Sequence, residues 1–380
     1  MKKIITLLFV TSFVILNSKH TIHAQDVHSP FLHYKEFQEA DSSKLFLRFE
    51  NLNFVKNNEY NGDYLKGTTW IGYIATPKLV YYPSEKFRIE AGVRLQKYSG
   101  RENFTDSEPI FSATYKVSNN ISFMLGSLNQ DNNHNLSEPM FEPERYFTDN
   151  GENGLQMKYH SNKLEFDTWI NWEQFILEND PFQEKFTFGL TGRWKLNSTT
   201  TKNTLAIPVE IMFAHRGGEI DNSIGSVQTI GNFASGLEYV REIENSAIKS
   251  WRLKVIAYYF SDNSSAKEFT YDKGRAFYPQ FTINTKKSKL NLGYWNAYKF
   301  ASSRGSELFK TRVIASENYI ETRKELITLN YYYEHKVATG IYLGGKLDVY
   351  YDRVNSVENF ATSIYLKING DFFLKTIKWN

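Results

Sequence analysis

The sequence predicts an all-β fold, a single transmembrane antiparallel β-barrel of about sixteen strands, with fourteen to eighteen left open. Three observations carry that prediction. From residue 43 onward, apolar and polar residues alternate in segment after segment, the two-residue period of a strand whose faces meet different surroundings. The connections alternate between tight turns and long polar loops, the asymmetry of a barrel with short periplasmic turns and long extracellular loops. After the N-terminal segment, no stretch approaches the roughly 20 apolar residues of a membrane helix. A place in a membrane therefore requires a closed barrel, the one β-architecture that leaves no backbone group unpaired in hydrocarbon.

Composition narrows the alternatives. The 380 residues include no cysteine, which excludes a disulfide scaffold, a thiolate nucleophile and a Cys-ligated zinc site. With 45 Lys+Arg against 42 Asp+Glu, no basic surface for nucleic acid is expected. Aromatic residues at 16% supply too much apolar surface for a disordered chain.

The elements follow in order. Lys2 and Lys3 precede an apolar run from Ile4 to Leu16, and Ala24 offers a small residue for cleavage, so 1–24 reads as a secretory signal peptide. Residues 25–42 form a short periplasmic N-terminal segment, too short for the plug of an active transporter, and 43–380 the barrel domain. Strands are expected near 43–54, 68–82, 86–96, 109–117, 121–127, 154–160, 164–175, 184–195, 204–215, 233–243, 249–260, 276–284, 288–297, 325–337, 340–351 and 359–376. Short turns such as Ser84-Glu85 and Ala338-Thr339 alternate with long loops at 97–108, 128–153, 216–232, 261–275 and 298–324. The 128–153 and 298–324 loops are long enough to fold into the lumen. Trp70, Tyr81, Tyr82, Trp172, Trp194, Trp251, Tyr259 and Tyr351 lie near strand ends, where aromatic girdles sit at headgroup level.

The dyad also assigns faces. Phe87, Ile89, Ala91, Val93 and Leu95 alternate with Arg88, Glu90, Gly92, Arg94 and Gln96, a lipid side and a wet side. The expected pore-lining residues are Arg88, Glu90, Arg94, Glu165, Asp167, Trp169, Glu173, Lys185, Arg193, Glu210, Arg252, Lys254, Lys346 and Asp348. Opposed charges on such a wall set up a selective constriction, or they brace and solvate a wall closed by loops. Trp169 and other inward aromatics fit wall filling better than a stacking track for sugars.

Outward chemistry is thinner. His215 ends its strand on the long-loop side, where an imidazole near the headgroups can act as a general base. A rim site of His215, Arg216 and Asp221 needs an outward Ser within hydrogen-bond reach, and none can be named from the sequence. Its bland counterpart is a headgroup-binding pair with a turn at Gly217-Gly218. The segments Asp131-Asn132-Asn133-His134-Asn135 and Asp149-Asn150-Gly151-Glu152-Asn153 lack EF-hand spacing and read as solvated loops. No metal, cofactor or catalytic residue is expected.

Three segments carry a resemblance. They are Phe141-Glu142-Pro143-Glu144-Arg145-Tyr146-Phe147-Thr148 with Gly154-Leu155-Gln156, Trp169-Ile170-Asn171-Trp172-Glu173-Gln174-Phe175 with Gln183-Glu184-Lys185-Phe186, and His215-Arg216-Gly217-Gly218-Glu219-Ile220-Asp221. Together they resemble a group of Bacteroidetes outer-membrane β-barrel proteins without an assigned function. That resemblance implies a Gram-negative outer membrane and a porin-like architecture, and supplies no reaction. The expectation is thus a non-enzymatic, porin-like channel for passive diffusion of small polar solutes. An outer-rim lipid-modifying hydrolase of phospholipase or deacylase type is the runner-up, and a surface ligand-binding barrel comes third. Expected partners are outer-membrane lipids and lipopolysaccharide, the barrel-assembly machinery and small polar solutes.

Overall fold

In a computed structural model, residues 41–61, 65–128, 134–149, 151–197, 202–218, 220–267, 269–311 and 321–377 are described. The signal peptide, nearly all of the segment 25–42, Asp131-Asn132-Asn133 and Asn150 lie outside them. Sixteen strands close into one antiparallel barrel in which each pairs with its neighbours in sequence and the first pairs with the last. They are β1 Lys44–Tyr60, β2 Thr69–Ser84, β3 Phe87–Tyr98, β4 Asp106–Lys116, β5 Ile121–Ser127, β6 Asn153–His160, β7 Leu164–Gln174 and β8 Lys185–Lys195. The second half comprises β9 Asn203–Arg216, β10 Gln228–Glu242, β11 Ile248–Asp262, β12 Lys273–Thr285, β13 Ser288–Tyr298, β14 Arg323–Ala338, β15 Ile341–Asp352 and β16 Val357–Thr376.

Every expected strand is present, and the boundaries move for a physical reason. Polar residues that read as loop continue the ladder wherever they face a wet interior. β1 runs on to Tyr60 because Lys56 and Asn58 point inward and hold Glu144, at 2.8 and 2.7 Å. β10 likewise begins at Gln228, β11 ends at Asp262 and β12 begins at Lys273, so the long loops there are shorter than expected.

The dyad sorts side chains as anticipated. On β9, Ala206, Pro208, Glu210 and Met212 are buried inside while Leu205, Ile207, Val209 and Ile211 face out. Leu79, Phe111, Leu125, Leu155, Leu253, Phe277, Ile327 and Ile364 are all exposed on the outer surface. Water would not tolerate an apolar belt of that extent, and hydrocarbon requires one. Trp172, Trp194 and Tyr259 are exposed as girdle residues should be, whereas Trp70 and Tyr82 point inward on β2, where Trp70 stacks on Phe147.

Polar networks fill the periplasmic half of the interior. Glu90 receives Arg88 at 2.9 Å, Lys78 at 2.9 Å and Arg48 at 3.6 Å, and Arg48 also reaches Asp371 at 2.6 Å. Above them, both nominated loops enter the lumen. The third outer connection, 128–152, carries a one-turn helix α1 at Arg145–Thr148, and the seventh, 299–322, carries a 3-10 turn at Glu307–Phe309. Leu136 and Met140 of the former and Phe300, Leu308 and Phe309 of the latter pack with Trp295, Tyr258 and Tyr278 into an apolar core inside the barrel.

Candidate functional site

Two places gather chemistry: the lumen around the third outer loop, and the outer rim of β9 and β10. The loop is a strap fixed at several points on the wall. Glu210 accepts from Ser137 N and Oγ at 2.9 and 2.5 Å, and the Tyr350 hydroxyl donates to Glu138 at 2.7 Å. At the far wall, Gln96 and Tyr98 both donate to the Phe147 carbonyl at 2.6 Å, and Arg94 donates to that of Tyr146 at 2.8 Å. A second contact joins the two loops, Glu142 N–H to the Arg304 carbonyl at 2.8 Å.

His134 anchors the start of the described strap. It is buried, with Nε2 2.5 Å from Glu152 and Nδ1 3.2 Å from Asp167. Carboxylates only accept, so both ring nitrogens donate and the ring is an imidazolium. Burial opposes that charge, and the flanking carboxylates of Glu152 and Asp167 outweigh it, raising the pKa to about 9. Gln156 donates to both Asp167 oxygens at 2.9 Å, completing the site. On the same strap, burial first and then Asp348 push the Glu138 carboxyl up to about 7 against the pull of Lys346. Burial and Glu144 push that of Glu142 up to about 8.

Beneath and beside the strap lies a cavity of about 990 Å³. Of the expected lumen residues, Glu165, Asp167, Arg193, Glu210, Arg252, Lys254, Lys346 and Asp348 line it. They are paired rather than free: Arg193 and Arg252 flank Glu238 at 2.6 and 3.3 Å, Lys254 reaches Glu210 at 3.4 Å, and Lys346 reaches Asp348 at 2.8 Å. Arg88 and Glu90 belong to the periplasmic network, and Arg94 holds the strap. Trp169 is covered by His134 and so fills the wall. Glu173 and Lys185 lie at the outer mouth, exposed, because a register break between Trp172 and Gln174 ends regular pairing there. Glu173 pairs with Arg304 of the seventh loop.

On the lipid side of β9, His215 is half-buried directly opposite Thr229 of β10. Its Nε2 is 2.9 Å from the Gly217 carbonyl oxygen and its Nδ1 2.9 Å from the Thr229 hydroxyl. The carbonyl can only accept, so Nε2 carries the ring proton. In a neutral ring Nδ1 is then bare and can accept from the Thr229 O–H. A hydroxyl, a base and an orienting acceptor stand in the order that activates a hydroxyl nucleophile. Gly217 makes the orienting contact feasible: its φ of +121° suits glycine, and a Cβ there would meet Val227 at 3.0 Å. Phe186 packs against the imidazole with ring centroids 4.9 Å apart, and Trp172 stacks on Phe186 at 5.3 Å.

Of the three rim residues expected, only His215 touches the Thr229 hydroxyl. Arg216 stands beside it in the strand and therefore on the other face. Asp221 accepts from the N–H groups of Gly218 and Ser223, at 3.0 Å each, and closes the 217–227 loop instead of touching the ring. The hydroxyl beside the imidazole is that of Thr229, where no Ser could be named from the sequence. In sequence the polar run before residue 233 reads as loop, and only the β9–β10 register brings Thr229 opposite the imidazole.

Comparison with known proteins completes the picture. The fold is similar to OmpTdeltaL8, a loop L8 deletion mutant of an outer membrane protein of Vibrio cholerae. That likeness has a TM-score of 0.52 at 14% identity and covers 85% of this chain and 99% of that one. It is similar also to OpdO of Pseudomonas aeruginosa, with a TM-score of 0.51 at 9% identity, covering 87% and 99%. At these identities the likeness is one of fold. A closed barrel of this kind with an exposed apolar belt resides in the outer membrane. Among curated protein sequences nothing matches the chain. The model of the lipid A 3′-O-deacylase-type family matches residues 37–377. That match corrects two expectations: an enzyme family stands where no enzyme was expected, and its name carries an activity where the motifs resembled a group without one.

Proposed function

The chain belongs to the lipid A 3′-O-deacylase-type family, and from that membership we propose that it hydrolyses an ester-linked acyl chain of an outer-leaflet glycolipid at its outer rim. One observation carries the reading: a lipid-facing imidazole has its Nε2 on the Gly217 carbonyl and its Nδ1 within hydrogen-bond reach of the Thr229 hydroxyl. The family name supplies the substrate class and the rim contact the chemistry. Thr229 Oγ1 attacks the acyl carbonyl as its proton passes to His215 Nδ1. The ester C–O bond then breaks, and the sugar oxygen leaves with that proton. Water, deprotonated by the same nitrogen, attacks the acyl carbon, and the proton passes to Thr229 Oγ1 as its bond to the fatty acid breaks.

The test is fatty-acid release from a bisphosphorylated lipid A in mixed micelles, followed by mass spectrometry. His215→Ala and Thr229→Ala should each lower the rate by about 10² to 10⁴, the range of a lost general base. Thr229→Ser should retain activity. Unchanged release from both alanine variants would remove this pair from the chemistry.

A second reading, passage of small polar solutes, is supported by the 990 Å³ cavity with charges of both signs on its wall. Discrete ohmic steps in a planar bilayer favour it, and a folded, inserted barrel that passes no current eliminates it.

A further inference from the structure

On the opposite flank of the rim from the strap's far anchor, β12 to β14 present a row that neither reading uses. Arg275 of β12 pairs in register with Tyr259 of β11 on one side and Tyr298 of β13 on the other, and Tyr298 pairs with Arg323 of β14. The row lies on the outer face, since Gly274, Ala276, Ala297 and Lys324 beside these residues are the buried ones. Lys273 stands two residues above Arg275, and Phe277, two below, already belongs to the apolar belt. Lys299 extends the row, its ammonium 5.1 Å from the Tyr271 ring and 5.4 Å from that of Tyr298. Arg323 and Arg353 converge on Glu325 at 2.5 and 3.3 Å, and the Tyr294 hydroxyl donates to the same carboxylate at 2.9 Å.

Lys273, Arg275, Lys299, Arg323 and Arg353 thus line the upper edge of the hydrocarbon belt, where Glu325 takes Arg323 and Arg353 and Glu321 is held by Lys324 and Asn355. The Lys273 and Arg275 side chains are exposed and make no ion pair or hydrogen bond among the described residues. An arginine guanidinium presents a planar fork matched to phosphate oxygens, and flanking tyrosines suit the headgroup level. Outward cations at the lipid boundary are costly against hydrocarbon and favourable against anionic headgroups.

We infer that this row is a docking surface for the phosphate groups of an outer-leaflet lipid. Lys273 and Arg275 are its phosphate-binding residues, and Lys299, Arg323 and Arg353 supply the surrounding positive field. The surface lies two strands beyond Thr229 and does not depend on hydrolysis there.

Native mass spectrometry of the full barrel, released from nonionic detergent, tests it. The probes are a bisphosphorylated lipid A, the same lipid with its phosphates removed, and inorganic phosphate. The bisphosphorylated lipid should stay bound, the dephosphorylated one should bind at least tenfold more weakly, and millimolar phosphate should not displace the lipid. Lys273→Gln with Arg275→Gln should lower retention at least tenfold. Equal retention of the dephosphorylated lipid, or undiminished retention by the double variant, overturns the proposal. Displacement by millimolar phosphate reassigns the surface to the free anion and overturns it too. A heat-dependent gel shift confirms folding of each variant. If the double variant does not fold, the phosphorylated-against-dephosphorylated comparison on the unaltered chain decides alone.

Discussion

The imidazole of His134 lies flat on the indole of Trp169, ring centroids 3.7 Å apart and planes 7° from parallel. The cation therefore has an aromatic face beneath it and a carboxylate at each edge nitrogen, so the strap is held by charge as well as by packing.

The first prediction concerns pH. The folded-state pKa of His134, about 9, lies above its ordinary value of 6.5. Its contribution to strap stability is thus full below pH 6.5 and lost as pH rises through about 9. Hydrogen exchange of the 134–149 amides, corrected for intrinsic chemistry, should accelerate between pH 7 and 10. His134→Gln should abolish that step. Flat corrected rates would mean the ring is not charged in the folded barrel.

A second prediction concerns the acids of the same loop. Glu138 and Glu142 hold their protons to about pH 7 and 8, above the usual 4.5, so the stability they lend is present at low pH and fades as each deprotonates. Infrared difference spectra should show two carboxyl bands disappearing between pH 6 and 9. Glu142→Gln should remove the upper one.

Trp169 owes its position to the absence of a side chain across the ladder. A Cβ on Gly189 would lie 2.1 Å from the indole ring. Gly189→Ala should displace Trp169 from His134 and destabilise the barrel by about 1–3 kcal/mol, the range of core overpacking. The heat-dependent gel shift should occur at lower temperature, and the strap amides should lose protection.

Lys324 and Asp352 form a fully buried pair at 2.6 Å between β14 and β15. Lys324→Met leaves the carboxylate buried without its cation and should cost roughly 3–5 kcal/mol. Adding Asp352→Asn should recover part of that loss, because the stranded charge is then gone. Denaturant unfolding in micelles measures both.

The barrel was legible because its signal is local: alternation is a two-residue pattern, and each strand states its faces independently of the others. The inward charges on β7, β8 and β9 were readable for the same reason. Thr229 was hidden because its place beside His215 depends on register with a strand thirteen or more residues away and on a boundary that polar residues obscure. His134 was hidden by a different cause. In sequence it sits among asparagines and reads as solvated loop, and only the fold brings Glu152 and Asp167 to its two nitrogens. Acyl-ester chemistry draws its weight from the family match, since in sequence one histidine without its partner carries little.

The pairing of β1 with β16 has a consequence for how the barrel comes to exist. Arg48 and Asp371, which clasp across that seam at 2.6 Å, are 323 positions apart in the chain. The hairpins between successive strands can zip as soon as each turn forms, but this seam waits for both ends of the domain to meet. Until it closes, two strand edges lie open with unpaired backbone that hydrocarbon does not accept. Closure is then a checkpoint: every other ladder can be complete, and an intermediate without the seam still has two edges that recruit strands from other chains.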